Sequence, residues 1–140
     1  MKRTSIFLLA IILLLFSGCQ PKVYEVPLHQ DIDNIVKIEL SDHTGKERVV
    51  MRTLTDGDIQ AFTEKLLLVP CYRHFNDPPT NYGYLSVYLY YENGDIDILG
   101  TDMCDVISDT ASIKGWFYIK LEDMRNLFAE FVDPDTIPKR

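Results

Sequence analysis

Basic charge is scarce in this 140-residue chain: 14 lysines and arginines stand against 21 aspartates and glutamates, for a net charge of −7. No stretch gathers cations into a stripe, so the surface repels a phosphate backbone, nucleic-acid binding is disfavoured on electrostatic grounds, and no nucleic-acid partner is expected. Also missing are a G-x-S-x-G nucleophile elbow, a phosphate-cradling glycine loop and an H-E-x-x-H helix. Histidine and cysteine occur three times each. Cys71 and His74 stand at C-x-x-H spacing, with Cys104 between Asp102 and Asp105, but the second close pair that a closed zinc site needs is absent. A Cys71 nucleophile with His74 as base would require an orienting group and an oxyanion site that the sequence does not signal. Asp95, Asp97 and Asp102 lack the glycine and bidentate glutamate of a calcium loop and read as a solvated strand face. No metal or other cofactor is expected. With no carboxylate pair singled out by spacing, the chain reads as a non-enzyme.

Long apolar runs are limited to one, residues 6–16, which follows Lys2-Arg3 and precedes Ser17-Gly18-Cys19. As a helix this run reaches about 16 Å, against a hydrocarbon slab of about 30 Å, so it is too short to span a membrane. A basic start, a short apolar centre and small residues before a cut site describe a secretory signal rather than a folded element. Its ending, Phe16-Ser17-Gly18-Cys19, resembles the lipobox of bacterial lipoproteins, with Phe16 where the family usually carries leucine. The resemblance implies that residues 1–18 are a signal peptide removed on export. Cys19 then becomes the mature N-terminus and is acylated with chains such as palmitate. Two such chains hold a domain stably on a membrane, so the expected location is extracytoplasmic and lipid-anchored. Gln20 is not the aspartate associated with inner-membrane retention, so an outer membrane is the implied site where the host has one.

Loss of residues 1–18 removes Lys2 and Arg3 and no acid, leaving twelve basic residues against 21 acidic ones, a net charge of −9. About 120 remaining residues are enough for one domain with a single core. Once Cys19 carries lipid, Cys71 and Cys104 are left as an even pair. Outside the cytoplasm they are open to a disulfide, whose loop would be worth about 3 to 4 kcal/mol, or to a state as two small buried thiols.

Residues 20–34, with Pro21 and Pro27 and no sustained period, read as a flexible tether behind the lipidated Cys19, apart from a short strand over 23–26. The single domain is expected over 35–133, with a tail over 134–140. Val36, Ile38 and Leu40 alternate with Lys37 and Glu39 in a half-buried strand over 35–40. A turn at 41–45 leads to a second strand over 48–54. Thr55 and Asp58 fit a capping box before a helix over 56–68, in which Ile59, Phe62 and Leu66 recur at helical spacing until Pro70. Prolines and polar residues make 69–82 a long loop. Residues 83–92 form the clearest strand, with Leu85, Val87, Leu89 and Tyr91 on one side and Tyr84, Ser86, Tyr88 and Tyr90 on the other. Asn93-Gly94 signals a two-residue type I′ turn into a strand whose Ile96 and Ile98 alternate with Asp95 and Asp97. Residues 100–115 carry only a short extension over 103–107. A last strand over 116–120 precedes a helix over 122–132 striped by Met124, Leu127, Phe128 and Phe131.

The order ββαβββα, with strand-then-helix in both halves, suggests an internal duplication. One-sided helices with alternating strands predict an α+β two-layer sandwich: an antiparallel sheet of about five strands with two helices on one face. Val36, Ile38, Leu40, Leu85, Val87, Leu89, Ile96, Ile98, Phe117 and Ile119 would face those helices. The opposite face would then display Tyr84, Tyr88, Tyr90, Trp116 and Tyr118, unless another segment lies over them. Rings with polar tips are frequent anchors of interfaces and glycan surfaces. Beyond the lipobox, the chain resembles small bacterial lipoproteins of one α+β domain. The expected role is therefore a membrane-held binding module for a protein or cell-wall partner, engaged through this face and the loop over 70–82. An inhibitor or immunity protein against a basic enzyme or toxin is a further expectation from the acidity, and a cell-wall hydrolase is the enzymatic alternative.

Overall fold

The computed structural model describes residues 21–76, 81–113 and 115–139, so the signal sequence and Cys19 lie outside the described residues. The strands are β1 (Ile35–Asp42), β2 (Val49–Leu54), β3 (Cys71–Arg73), β4 (Leu85–Tyr91), β5 (Ile96–Gly100), β6 (Cys104–Ile107) and β7 (Phe117–Ile119), and the helices are α1 (Gly57–Leu66) and α2 (Leu121–Ala129). Five strands form an antiparallel sheet in the order β2-β1-β4-β5-β6, while β3 and β7 pair in a separate two-stranded ribbon. Phe62 and Leu66 of α1 and Met124, Leu127 and Phe128 of α2 share one core with Ile38, Leu40, Leu54, Leu85, Val87 and Leu89. Both one-sided helices therefore cover the same face of the large sheet, and the fold is α+β. The suggested duplication has no counterpart in this topology: α1 follows a strand of the large sheet, whereas α2 follows β7 of the ribbon. Among the described residues no helix is long and apolar enough to cross a membrane.

Element ends differ from expectation for local reasons. The capping box at Thr55 is not formed: α1 starts at Gly57 behind Asp56, whose φ is 50°, and the Asp58 carboxylate accepts from Arg52 at 2.8 Å instead of closing the box. Residues 69–82 are not all loop, because β3 lies within them. Pro70 stands just before its first residue, where the lack of an N–H does no harm to the pairing. Phe131 lies beyond the end of α2 and meets Phe62 edge-on at 5.0 Å, and its carbonyl accepts from Arg52. Lys65 and Glu130 pair across the same junction, tying the ends of the two helices together.

The largest departure is the register of β5. Its turn is one residue longer than a type I′ hairpin. Gly94 N–H donates to Tyr91 C=O at 3.0 Å, Tyr91 N–H donates to Asp95 C=O at 3.0 Å, and only Gly94 takes a left-handed φ, 91°. A slip of one residue moves every side chain to the other face. Leu89 therefore sits opposite Asp97 and Val87 opposite Leu99, while Ile96 and Ile98 join Tyr90 and Tyr88 on the face away from the helices. Val36 also leaves the core. A bulge between Ile35 and Lys37 buries Ile35 in its place and leaves Val36 48% exposed.

Asp97, expected in water, is thereby carried into the interior with no exposed surface. A buried carboxylate must be matched by donors. Tyr91 Oη donates to it at 2.6 Å, His29 N–H at 3.1 Å, and His29 Nδ1 lies 2.5 Å from its other oxygen. Burial and Asp97 push the Tyr91 hydroxyl well above its ordinary value, so it stays a donor. His29 Nε2 meets Asp95 at 3.0 Å, and the imidazole stands edge-on to Tyr91 at 4.8 Å.

The residues expected to form a free tether are thus packed onto the domain from Tyr24 onward. Tyr24 exchanges backbone hydrogen bonds with Cys71 at 2.8 and 3.1 Å, Val26 is buried in the core, and Ile32–Asn34 makes a 3-10 turn into β1. The single bridge at Tyr24 stands where a strand over 23–26 was expected. The C-terminal residues dock in the same way, with Ile137 buried in the core and Pro138 C=O accepting from Arg125 at 2.7 Å.

Asp97→Ala leaves the His29 N–H and the Tyr91 hydroxyl buried without an acceptor. The variant is expected to lose about 3 kcal/mol of stability, the scale of leaving buried donors without an acceptor, measured by urea unfolding. His29→Ala should raise hydrogen exchange selectively over residues 24–30.

Candidate binding cleft

The face of the sheet away from the helices is set by register: Lys37 sits beside Tyr90, Glu39 beside Tyr88 and Ser41 beside Ser86, with Ile96 and Ile98 on the far side of β4. Tyr88 and Ile98 are nevertheless buried. The Arg48 guanidinium lies 4.0 Å above the Tyr88 ring and the Lys37 ammonium 3.8 Å above the Tyr90 ring. Both cations also reach Glu39, at 2.6 and 2.9 Å, and Tyr90 Oη donates to the same carboxylate at 2.6 Å. Cation–π contacts and one shared acid therefore roof the middle of this face. Burial acts to raise the Glu39 carboxyl, but hydrogen bonds from Tyr90, Lys37 and Arg48 outweigh it and hold the group at about 2.

The five aromatic residues expected on one open face are divided. Tyr88 and Tyr90 lie under the charged roof, and Trp116 and Tyr118 belong to the ribbon. Tyr84, 41% exposed, opens onto a cleft of about 500 Å³. His43, Lys46, Asn81, Tyr82 and Asp102 complete its walls. His43 N–H donates to Tyr84 C=O at 2.8 Å, extending the pairing of β1 with β4. The His43 ring lies against Tyr88 at 6.1 Å and Tyr82 at 6.2 Å, and Tyr82 Oη reaches Asp105 at 3.4 Å. Opposite, Tyr84 N–H donates to Thr101 Oγ1 at 2.9 Å and Asp102 N–H to Tyr82 C=O at 3.2 Å. This close approach needs glycine twice: a Cβ on Gly83, whose φ is 83°, would fall 2.2 Å from Thr101 Oγ1, and one on Gly100 would fall 2.3 Å from Tyr82 C=O. The frame is fixed by backbone bonds, yet the Tyr84 hydroxyl and the Lys46 ammonium have no partner among the described residues.

Burial, reinforced by Arg48 and opposed by Asp42, lowers the His43 imidazole below its ordinary value and favours its neutral form. Its Nε2 lies 2.7 Å from Ser86 Oγ, the spacing of a base and a nucleophile. Ser86 is fully buried, however, and the Asp42 carboxylate is taken by Thr44 N–H at 2.7 Å and Thr44 Oγ1 at 3.0 Å. The pair fastens the loop to the sheet and offers no reachable nucleophile.

Cys71 and Cys104, named from sequence as partners, are brought together as two buried free thiols in hydrogen-bond contact. The bond from Cys104 lowers the Cys71 thiol, whose Sγ lies 3.3 Å from Tyr118 C=O; the same contact and burial raise Cys104. His74 does not join them. It stacks on Tyr118 at 4.3 Å, and its Nε2 bonds Asp102 C=O at 2.7 Å. Among the described residues no group of three or more His, Cys, Asp or Glu is placed to hold a metal ion. His43 and Lys46 escaped the sequence reading because a turn segment carries no periodicity to say which way its side chains point.

The Glu39 carboxylate should stabilise the fold fully above its ordinary value of 4.5, with that contribution lost as pH falls through about 2. Urea midpoints of the chain and of Glu39→Gln should accordingly differ at neutral pH and converge between those limits. No family of proteins, curated sequence or solved structure matches this chain.

Proposed function

We propose that this chain is an extracytoplasmic binding protein, anchored through acylated Cys19, that takes a short glycan segment of the cell envelope in the cleft beside Tyr84. The observation that carries this reading is the cleft itself. Its volume of about 500 Å³ lies in the range of small-ligand sites rather than of broad protein interfaces. The ring of Tyr84 supplies a stacking surface, Asn81 and Asp102 supply hydrogen-bonding groups for hydroxyls and amides, and Lys46 supplies a cation for a carboxylate. The open aromatic sheet proposed from alternation is narrowed to this place, because Tyr88 and Tyr90 are covered by Arg48 and Lys37. The lipobox resemblance supports the address, since the envelope glycan lies within reach of an anchored domain.

Residues 20–140 should bind soluble peptidoglycan fragments saturably in isothermal titration, with Tyr84→Ala and Lys46→Ala each weakening binding about tenfold or more at unchanged circular dichroism. Failure of the intact chain to bind, or binding by both variants as tight as that of the intact chain, would overturn the reading. The anchor is checked separately: Cys19→Ala should move the protein from the membrane fraction to the soluble one.

A further inference from the structure

The outer side of the β3–β7 ribbon brings exposed aromatic rings and cations together on an acidic protein. Tyr72 and Tyr118 face each other across the register with ring centroids 5.8 Å apart. Trp116 lies two residues before Tyr118 on the same side, and its carbonyl accepts from His74 N–H at 2.8 Å. Phe75, next in the chain, is 92% exposed and Trp116 42%. Lys120 lies 4.1 Å over the Tyr72 ring, and Lys22 and Arg73 line the same groove as Tyr72, Phe75 and Tyr118.

Chain length places this side. Pro21 lines the groove, and Cys19 precedes it by two residues, which span at most about 7 Å when fully extended. Even counted from Tyr24, the first residue bonded to the ribbon through Cys71, the five residues back to Cys19 span at most about 18 Å. An acylated Cys19 therefore brings the ribbon to the headgroups instead of leaving the domain on a long leash.

We propose that the outer side of the ribbon is the surface on which the domain lies against an anionic phospholipid bilayer. Phe75 and Trp116 sit at headgroup depth, and Lys22 and Lys120 meet lipid phosphates. Aromatic rings with polar edges favour the membrane interface, and cations within a Debye length of an anionic leaflet are attracted to it. The remaining, strongly acidic surface is repelled by the same leaflet, so charge alone selects this orientation. The inference rests on acylation of Cys19, which its test reads separately.

Trp116 is the single tryptophan, so its emission reports on this surface alone. The full-length acylated protein, reconstituted in vesicles of phosphatidylcholine and phosphatidylglycerol, should float with the vesicles. Its emission should shift to the blue, be quenched by lipids brominated near the headgroup and be protected from aqueous iodide. Lys22→Glu with Lys120→Glu should abolish shift and protection while flotation persists. Flotation with Trp116 as accessible as in soluble residues 20–140, or a shift that survives the charge reversal, would overturn the docking surface. Loss of flotation with an unacylated mass would remove the anchor, and the surface with it.

Discussion

A carboxylate in an apolar interior is tolerated only where donors surround it, and Asp97 imposes that condition on this fold. Its oxygens are met by one donor from its own hairpin, Tyr91, and by the backbone and ring of His29, 68 residues earlier. The sheet thus fixes a segment whose apolar residues, Tyr24, Val26, Leu28 and Ile32, then meet the core. Once His29 is held, Val26 reaches the core and Tyr24 adds to the edge of the ribbon. The polar contact to Asp97 and the burial of Val26, with Tyr24, Leu28 and Ile32 packed against the core, together make residues 24–34 part of the domain.

The two faces of the large sheet solve burial differently. Toward the helices, Phe62, Met124 and Phe128 close-pack on Ile38, Leu40 and Val87. On the other side no helix is available, and Arg48 and Lys37 spread over tyrosine rings with their charges gathered by Glu39. That second layer is one side chain thick. It ends at Tyr84, where the roof gives way to the cleft.

Strong periodicity was legible in the sequence, and local geometry was not. Alternation along β4 and the stripes of Phe62, Leu66, Met124 and Leu127 placed the sheet, both helices and their shared face. The register of β5 could not be read, because Asn93-Gly94 suits both a two-residue turn and the longer one seen, and the choice moves Ile96, Ile98 and Asp97 to opposite sides. The sequence named Tyr84 but grouped it with four aromatics that tertiary contacts separate. Trp116 and Tyr118 share a ribbon that depends on β3, a three-residue strand hidden among prolines. The approach of Cys71 to Cys104 followed from their count, whereas Lys46 and His43 depend on how a turn folds back over β4.

The link between His29 and Asp97 also orders events in time. A contact across 68 residues closes late, because the chain between its ends must first lose most of its freedom. The N-terminal residues are made first and have nothing to grip until the hairpin carrying Asp97 has formed. Residues 24–30 are therefore the last part of the fold to be secured, held only once the second half of the chain is in place.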